Sequence, residues 1–355
     1  MPKPVRTIFM TIVILVGFSL LFVAGFLGFL TLTEFSPEGK SNPEINGKGK
    51  SMDPSRREFT FFTWNIGYSG LGQEMDFFYE GGTLVRPEKE QCSRYFEGIK
   101  RMVQANDTAD FIFLQEVDVH SKRSWYCDEF ETLSGILPDY FNVFAQNYGS
   151  MFIPIPLPNP MGRVKAGLAC FLKMKQESAE VRYYKTDLSW PKRLAFLKRC
   201  FVLLRFGLDN GKDLVVLNTH NSAYDSSGVW RKIELSALDS AMKSEYLRGN
   251  YVIAGGDWNI NPRGFNSSTV ASGDVVISLD PMIEPSFLPG WQFVFDPNQP
   301  SNRNLDMPYK KGVTKTTIID FFVLSPNVEV RCVSTIPTGF ACSDHQPVVM
   351  GVRLK

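Results

Sequence analysis

Ser343-Asp344-His345 sets a carboxylate beside one of only three histidines in this chain. An acid next to an imidazole is a weak signal by itself. Its weight comes from five upstream stretches: Trp64-Asn65-Ile66, Leu114-Gln115-Glu116, Asn218-Thr219-His220, Gly256-Asp257-Trp258-Asn259 and Ile319-Asp320-Phe321. Each places a carboxylate, carboxamide or imidazole where a short apolar run gives way to a loop. Rigid scaffolds commonly carry their functional groups at such boundaries.

Taken singly, each residue has an ordinary explanation. Glu116 reads as a solvated strand end, His220 as a satisfied core histidine, Asn65 as a turn residue, and Gly255-Gly256-Asp257 as a turn. Asp320 is harder to dismiss, because a buried carboxylate without a partner is costly. Together they supply what phosphodiester hydrolysis requires: an ion to neutralise phosphoryl oxygens, a base for water, and help for the leaving oxygen. Glu116, Asn65 and Asp344 offer hard oxygen ligands of the kind magnesium takes. No His-x-x-x-His or cysteine cluster offers a zinc site.

Hydrophobic patterning surrounds these motifs with alternating elements. Strands are expected at Phe59 to Trp64, Phe111 to Leu114, Leu168 to Leu172, Phe201 to Phe206, Leu214 to Leu217 and Tyr251 to Ala254. Three more follow at Ile318 to Leu324, Val328 to Val333 and Pro347 to Val352. Tyr95, Phe96, Ile99, Met102 and Val103 recur at helical spacing; Phe130 to Leu137 and Trp230 to Leu247 read as further helices. Many strands with a few helices suit stacked sheets flanked by helices in one domain.

In this order the six motifs resemble the endonuclease/exonuclease/phosphatase superfamily, the DNase I-like fold, over roughly Phe59 to Leu354. The resemblance implies an α/β fold, a four-layer α/β/β/α sandwich with its site where the two sheets open. It implies a catalytic set of His220, Asp257, Asn259, Asp320 and His345, and metal ligands Asn65, Glu116 and Asp344 for Mg2+ or Mn2+. In it, Glu116 is the main ligand, and Asp257 and Asn259 contact water and phosphate. Asp320 fixes the tautomer of His345, and His220 stabilises phosphoryl charge or assists the leaving oxygen. His120 matches no family position and reads as a surface or supporting residue. The chain lacks the Trp-Cys-Asp-Arg-like stretch of the phosphoinositide 5-phosphatase branch and the Trp-Asn-Ile-Leu opening of the deadenylase branch, which disfavours both.

Composition bounds the substrate only loosely. The 355 residues are 44% hydrophobic, enough for a sizeable core, and 38 Lys plus Arg against 37 Asp plus Glu leave a net charge of +1. That balance carries no electrostatic footprint for a nucleic-acid backbone. Thr7 to Thr33 holds no charged residue and is long enough to cross roughly 30 Å of hydrocarbon. Lys3 and Arg6 precede it, pointing to a cytoplasmic N-terminus and an exported body. Residues 1–33 therefore read as a membrane anchor, with a signal peptide cleaved near Val23-Ala24-Gly25 as the alternative. Residues 34–58 read as a flexible linker, and 59–355 as the catalytic domain.

Six cysteines show no metal-binding spacing. Cys170 and Cys200 read as buried small hydrophobes, and Cys332 with Cys342 as the candidate bridge. Met151-Phe152-Ile153-Pro154-Ile155-Pro156-Leu157-Pro158 is an apolar loop whose prolines keep it out of a regular ladder. It reads as packed on the core or as touching a membrane, similar in spirit to the apolar hairpins of secreted sphingomyelinases in this superfamily. Lys192, Arg193, Lys198 and Arg199 form a basic cluster, either a solvated face or an attractor of phosphate-bearing surfaces. The expected substrate is thus a phosphodiester, a phospholipid headgroup or a nucleic acid, with the membrane as a partner through the N-terminal helix and no protein partner. The first reading is a membrane-tethered, metal-dependent phosphodiesterase, the second an exported DNase I-like endonuclease/exonuclease, and the third a catalytically silent binding domain.

Overall fold

The apolar run at Phe59 to Trp64 becomes a strand buried along all but its first and third residues, as a strand covered on both faces must be. The computed structural model describes residues 3–185, 188–223, 225, 227–266, 276–277 and 281–355. The chain runs through α1 (Lys3–Leu32), β1 (Lys40–Ser41), β2 (Ile45–Gly47), β3 (Glu58–Asn65), α2 (Lys89–Ala105), β4 (Phe111–Asp118), α3 (Glu129–Ile136) and β5 (Phe141–Ile153). Next come β6 (Gly162–Leu172), β7 (Ser178–Tyr183), β8 (Cys200–Gly207), β9 (Asp213–His220), α4 (Val229–Leu247), β10 (Tyr251–Asp257) and β11 (Val276–Ile277). The remainder is β12 (Gln292–Val294), β13 (Asn302–Arg303), β14 (Lys315–Thr317), β15 (Asp320–Leu324), β16 (Val328–Thr335) and β17 (Val348–Leu354).

Two seven-stranded mixed sheets result. One has the order β1-β7-β8-β9-β10-β15-β12, the other β16-β17-β3-β4-β6-β5-β2, and a small sheet joins β11, β14 and β13. Their inner faces share one core, in which Phe61 stacks on Phe111 at 4.6 Å and meets Phe322 of the opposite sheet edge-on at 5.8 Å. Outside the first sheet, α4 lays Leu238 and Met242 over β9 and β10. Outside the second, α2 presents Phe96, Ile99 and Val103, and α3 presents Leu133, to Phe62, Trp64, Ile112 and Leu114. Asp128 caps α3 by accepting from the Glu131 amide at 2.9 Å. The layers are α/β/β/α, the DNase I-like sandwich.

Several expectations need correction. Residues 34–58 are not a free tether: Lys40–Ser41 pairs with Arg182 and Val181, and Ile45–Gly47 pairs with Val143 to Phe141, so the segment extends an edge of each sheet. Backbone pairing needs no hydrophobic period, which is why composition hides it. All six cysteines are free thiols. Cys170 and Cys200 are buried, but the expected Cys332–Cys342 bridge does not form. The Cys332 sulfur faces Gly351 across the β16–β17 ladder, whereas that of Cys342 fills the space left by Gly98 on α2. The apolar loop begins inside the ladder: Ile153 pairs with Gly162 beyond a register shift, and only the residues after it leave β5.

Helix α1 contains a 29-residue segment, Pro4–Leu32, apolar enough to cross a membrane or serve as a signal sequence. Its C-terminal end is fastened to the domain. Phe26 meets Phe152 edge-on at 5.9 Å, the Trp190 indole donates to Thr31 Oγ1 at 3.1 Å, and Glu34 pairs with Arg193 and Lys198.

Candidate active site

Strand register assembles the site. His220 on β9 is the parallel partner of Asp257 on β10, and Asp257 is the antiparallel partner of Asp320 on β15, so three polar residues form one row across the first sheet. In the second sheet Asn65 ends β3 opposite Gln115 of β4, one residue before Glu116. Val348 pairs with Thr63, which carries the loop Ser343 to His345 up to Asn65. Gln115 Nε2 donates to Asn218 Oδ1 at 2.8 Å, and Asn218 Nδ2 donates to the Leu114 and Ala169 carbonyls, bracing one sheet against the other behind the site.

Local backbone devices aim the side chains. The β4–β6 register shifts between Leu114 and Val117, and Glu116 adopts φ 54° within that bulge. A bulge re-aims a side chain, and Glu116 is the one half-buried residue of an otherwise buried strand. A left-handed non-glycine residue costs about 1–3 kcal/mol, a strain that concentrates where function requires it. Gly256 has φ 142°, and a Cβ there would lie 2.0 Å from the Thr219 carbonyl, so only glycine lets β10 approach β9 this closely. After Asn65, Gly67, Tyr68 and Ser69 turn left-handed at φ 53°, 44° and 53°. The Arg123 guanidinium supports the Tyr68 ring at 3.6 Å and forks onto the Asp118 carboxylate.

Asn65 stands at the centre. Its Nδ2 lies 3.2 Å from Glu116 Oε1, 3.0 Å from Asp257 Oδ2 and 3.4 Å from His345 Nε2. His345 Nδ1 is 2.8 Å from Asp320 Oδ2, which also accepts from Ser301 Oγ at 2.7 Å. His345 Nε2 is 3.7 Å from Asp257 Oδ2 and 3.9 Å from Asp344 Oδ2. His220 Nε2 lies 3.3 Å from Asp257 Oδ2 and 3.8 Å from Glu116 Oε1, while its Nδ1 has no partner. Asn259 donates its amide N–H to Asp257 Oδ1 and its side chain to the Asn221 carbonyl, both at 2.9 Å. Ser343 Oγ donates to the Asn65 carbonyl at 2.7 Å. All eight residues named from the sequence therefore meet in one place. His120 does not; it is exposed, 3.4 Å from Asp128.

The electrostatics of the site are lopsided. Burial pushes Asp257 up to about 7, with His345 working against it and Asp320 adding to it. Burial likewise pushes Asp344 up to about 7, with His345 opposing and Glu116 reinforcing. Burial pulls His345 down most strongly, yet Asp320, Asp257 and Asp344 together outweigh it and hold the imidazolium well above its usual range. His220 moves the other way: burial, then Arg199 and His345, keep it well below.

Such a cluster, acids crowded together and short of positive charge, suits a hard divalent cation. Glu116 and Asp344 carry oxygens of the kind such an ion takes. Asn65 Oδ1 accepts from the Gly67 amide at 3.0 Å, so a ligand role for Asn65 requires the carboxamide to turn over. Among the described residues the tightest acid–imidazole group is Asp257, Asp320 and His345. Because His345 Nδ1 and Asp320 Oδ2 already satisfy each other, that trio reads as a proton-handling unit rather than a cage.

Sequence reading missed three participants. Asn302 Nδ2 lies 3.0 Å from His345 Nε2, and Ser301 Oγ also accepts from the Ile319 and Asp320 amides. Asn221, whose carbonyl anchors Asn259, directly follows His220. Only Asn221 lay beside a motif; Ser301 and Asn302 look like ordinary turn residues.

No curated protein matches the chain. Among solved structures, an endonuclease/exonuclease/phosphatase from Beutenbergia cavernae DSM 12333 is similar, at 18% identity and TM-score 0.56 over 84% of this chain and 72% of that one. The human Nocturnin catalytic domain with bound sulfate anion gives 16% identity and TM-score 0.52 over 88% and 97%. ANGEL2, a 2',3'-cyclic phosphatase, gives 15% and 0.54 over 88% and 99%. At these identities the likeness concerns the fold. The profile of the Endonuclease/Exonuclease/phosphatase family matches residues 62–345, which spans every motif that meets at Asn65, and the chain belongs to that family.

Proposed function

We propose that this protein is a membrane-tethered, divalent-metal-dependent phosphodiesterase. The observation that carries the reading is the convergence of Glu116, Asp257, Asp320, Asp344 and both buried imidazoles on Asn65, from strand ends of two different sheets. Glu116, Asp344 and a turned Asn65 would hold a magnesium or manganese ion, which would supply neutralisation of the phosphoryl oxygens. The residues do the rest. Asp320 holds the Nδ1 proton of His345, and above the raised pKa of the ring Nε2 is free to take a proton from water. Water attacks phosphorus in line, the bond to the leaving oxygen breaks, and solvent returns a proton to that oxygen. Asp257 orients the water; Asn259, pinned by Asn221, and neutral His220 donate to the phosphoryl oxygens.

Membrane tethering rests on α1, whose apolar residues from Ile8 to Val23 are exposed, and on the exposed Ile155 and Leu157, which follow the Phe152 that meets Phe26. With Lys3 and Arg6 at the N-terminal end of that helix, the catalytic domain would lie outside the cytoplasm.

The test uses full-length protein in detergent, supplied with sphingomyelin–phosphatidylcholine vesicles or plasmid DNA, with magnesium, manganese or chelator. Metal-dependent, chelator-reversible hydrolysis of vesicle lipid is expected. Cleavage of plasmid alone, falling steeply with salt, would replace this reading with an exported nuclease. Hydrolysis of neither by a folded protein would leave a binding domain.

A further inference from the structure

The basic cluster at Lys192 to Arg199 divides in two. Arg193 and Lys198 face Glu34 at 3.2 and 3.3 Å and fasten the end of α1. Arg199 turns inward. It is 8% exposed, and its Nη1 has no hydrogen-bond partner. The acid that feels its charge, Glu234, has its oxygens occupied by the Ser222 amide and hydroxyl at 2.8 and 2.5 Å. A buried guanidinium is retained at a cost unless something pairs with it.

Arg199 lines a recess of about 50 Å³ together with Leu188, Phe196, Leu197, Ser222, Ala223 and Trp230. The walls are otherwise mainly apolar, so they give an entering anion little competition from other polar groups. The recess adjoins the catalytic residues: Ser222 lies two residues beyond His220, and the Arg199 charge is felt at the His220 ring. A water molecule's share of liquid volume is about 30 Å³, so the recess admits a compact group. Planar guanidinium donors match carboxylate and phosphate oxygens.

We propose that this recess is a subsite in which Arg199 binds a second anionic group, a carboxylate or a phosphate, carried by the substrate beside its scissile phosphodiester. The proposal rests on the phosphodiesterase reading and narrows its substrate class. Two sources share this chemistry: an anionic lipid headgroup, and a nucleotide with a terminal phosphate. Phe196 and Leu197 follow the segment that is tied to α1, so the mouth of the recess belongs to the anchored side of the domain.

The experiment compares matched pairs with the full-length protein. Phosphatidylserine and phosphatidylethanolamine, each in phosphatidylcholine vesicles, differ by one carboxylate. A thymidine dinucleotide with and without a terminal phosphate differs by one phosphate. In one pair the wild type is expected to favour the anionic member by about tenfold in kcat/KM, expressed mainly in KM. Arg199→Gln should erase that preference and Arg199→Lys should keep part of it. Ala223→Leu, which fills the recess and leaves the buried charge in place, should also erase it, and this variant decides the matter if Arg199→Gln fails to fold. The responding pair identifies the source.

Absence of preference in both pairs overturns the subsite, as does an equal loss on both members in Arg199→Gln and Ala223→Leu. Absence of metal-dependent hydrolysis of all four compounds overturns the subsite, and absence also on sphingomyelin–phosphatidylcholine vesicles and plasmid removes the phosphodiesterase reading.

Discussion

His345 and His220 stand on either side of Asp257, both buried, with Nε2 atoms 3.7 and 3.3 Å from the same oxygen. Behind them they differ. His345 has Asp320 on its Nδ1 at 2.8 Å, whereas the Nδ1 of His220 has no partner and Arg199 acts on its ring. One imidazole is held in a fixed tautomer and attracts a proton; the other is kept neutral. Two rings with one shared neighbour are thus set for different work by what lies behind them.

The sharpest way to break this contrast is to remove each ring. His345→Ala should lower kcat by about a thousandfold or more, within the range for a positioned proton acceptor. His220→Ala should lower it by about a hundredfold, the lower end for loss of one donor to phosphoryl charge. Circular dichroism should report an intact fold in both. Equal losses would mean that the two rings share one role; a larger loss at His220 would invert the assignment.

Asp320→Asn tests the support rather than the ring. The carboxylate raises the proton affinity of His345, so its removal should shift the acid limb of the pH–rate profile to lower pH. The plateau should also fall, by about a hundredfold, because the tautomer is no longer fixed. In His220→Ala the plateau should fall without moving that limb, since a neutral ring carries no proton to titrate there. A limb that stays in place in Asp320→Asn would remove Asp320 as the positioning residue.

Much of this was legible in the sequence, for a physical reason. The strands of the shared core are near-continuous apolar runs, and the polar residues that interrupt them in register are the site. What stayed hidden depends on contacts that leave no local trace. Phe141–Ile153 mixes Asn142, Gln146 and Asn147 with its apolar residues, so its thirteen-residue length does not stand out. The edge strands at Lys40 and Ile45 are held by backbone pairing, with one exposed ion pair from Lys40 to Glu180. The bulge that turns Glu116 into the cleft, and the arrival of Ser301 and Asn302 beside Asp320 and His345, are set by sheet register over long separations. Cysteine spacing likewise carried no geometry: Cys332 and Cys342 lie close in sequence and face different elements.

The smallest expected effect concerns a buried acid that lacks what Asp320 has. Glu129 contacts the Ser69 hydroxyl and accepts from the Asp118 amide at 2.8 Å, beneath the turn that follows Asn65. No imidazole answers it. Burial, then the Asp118 charge, raise its carboxyl well above the usual range, against Ser69, the Asp118 amide and Arg123. A carboxyl whose folded pKa is raised contributes stability that is full below its unfolded pKa, about 4.3. That contribution is lost as pH rises towards the folded value, by about 1.4 kcal/mol per pH unit. Glu129→Gln keeps an N–H for Ser69 and an oxygen for Asp118 but cannot ionise. Wild type and variant should therefore unfold at similar temperatures near pH 5, and the variant should gain about 1–3 kcal/mol over the wild type by pH 8. Melting curves that stay parallel across that interval would mean that Glu129 keeps its charge, and that the buried acids near this site are distinguished by something other than the partner behind them.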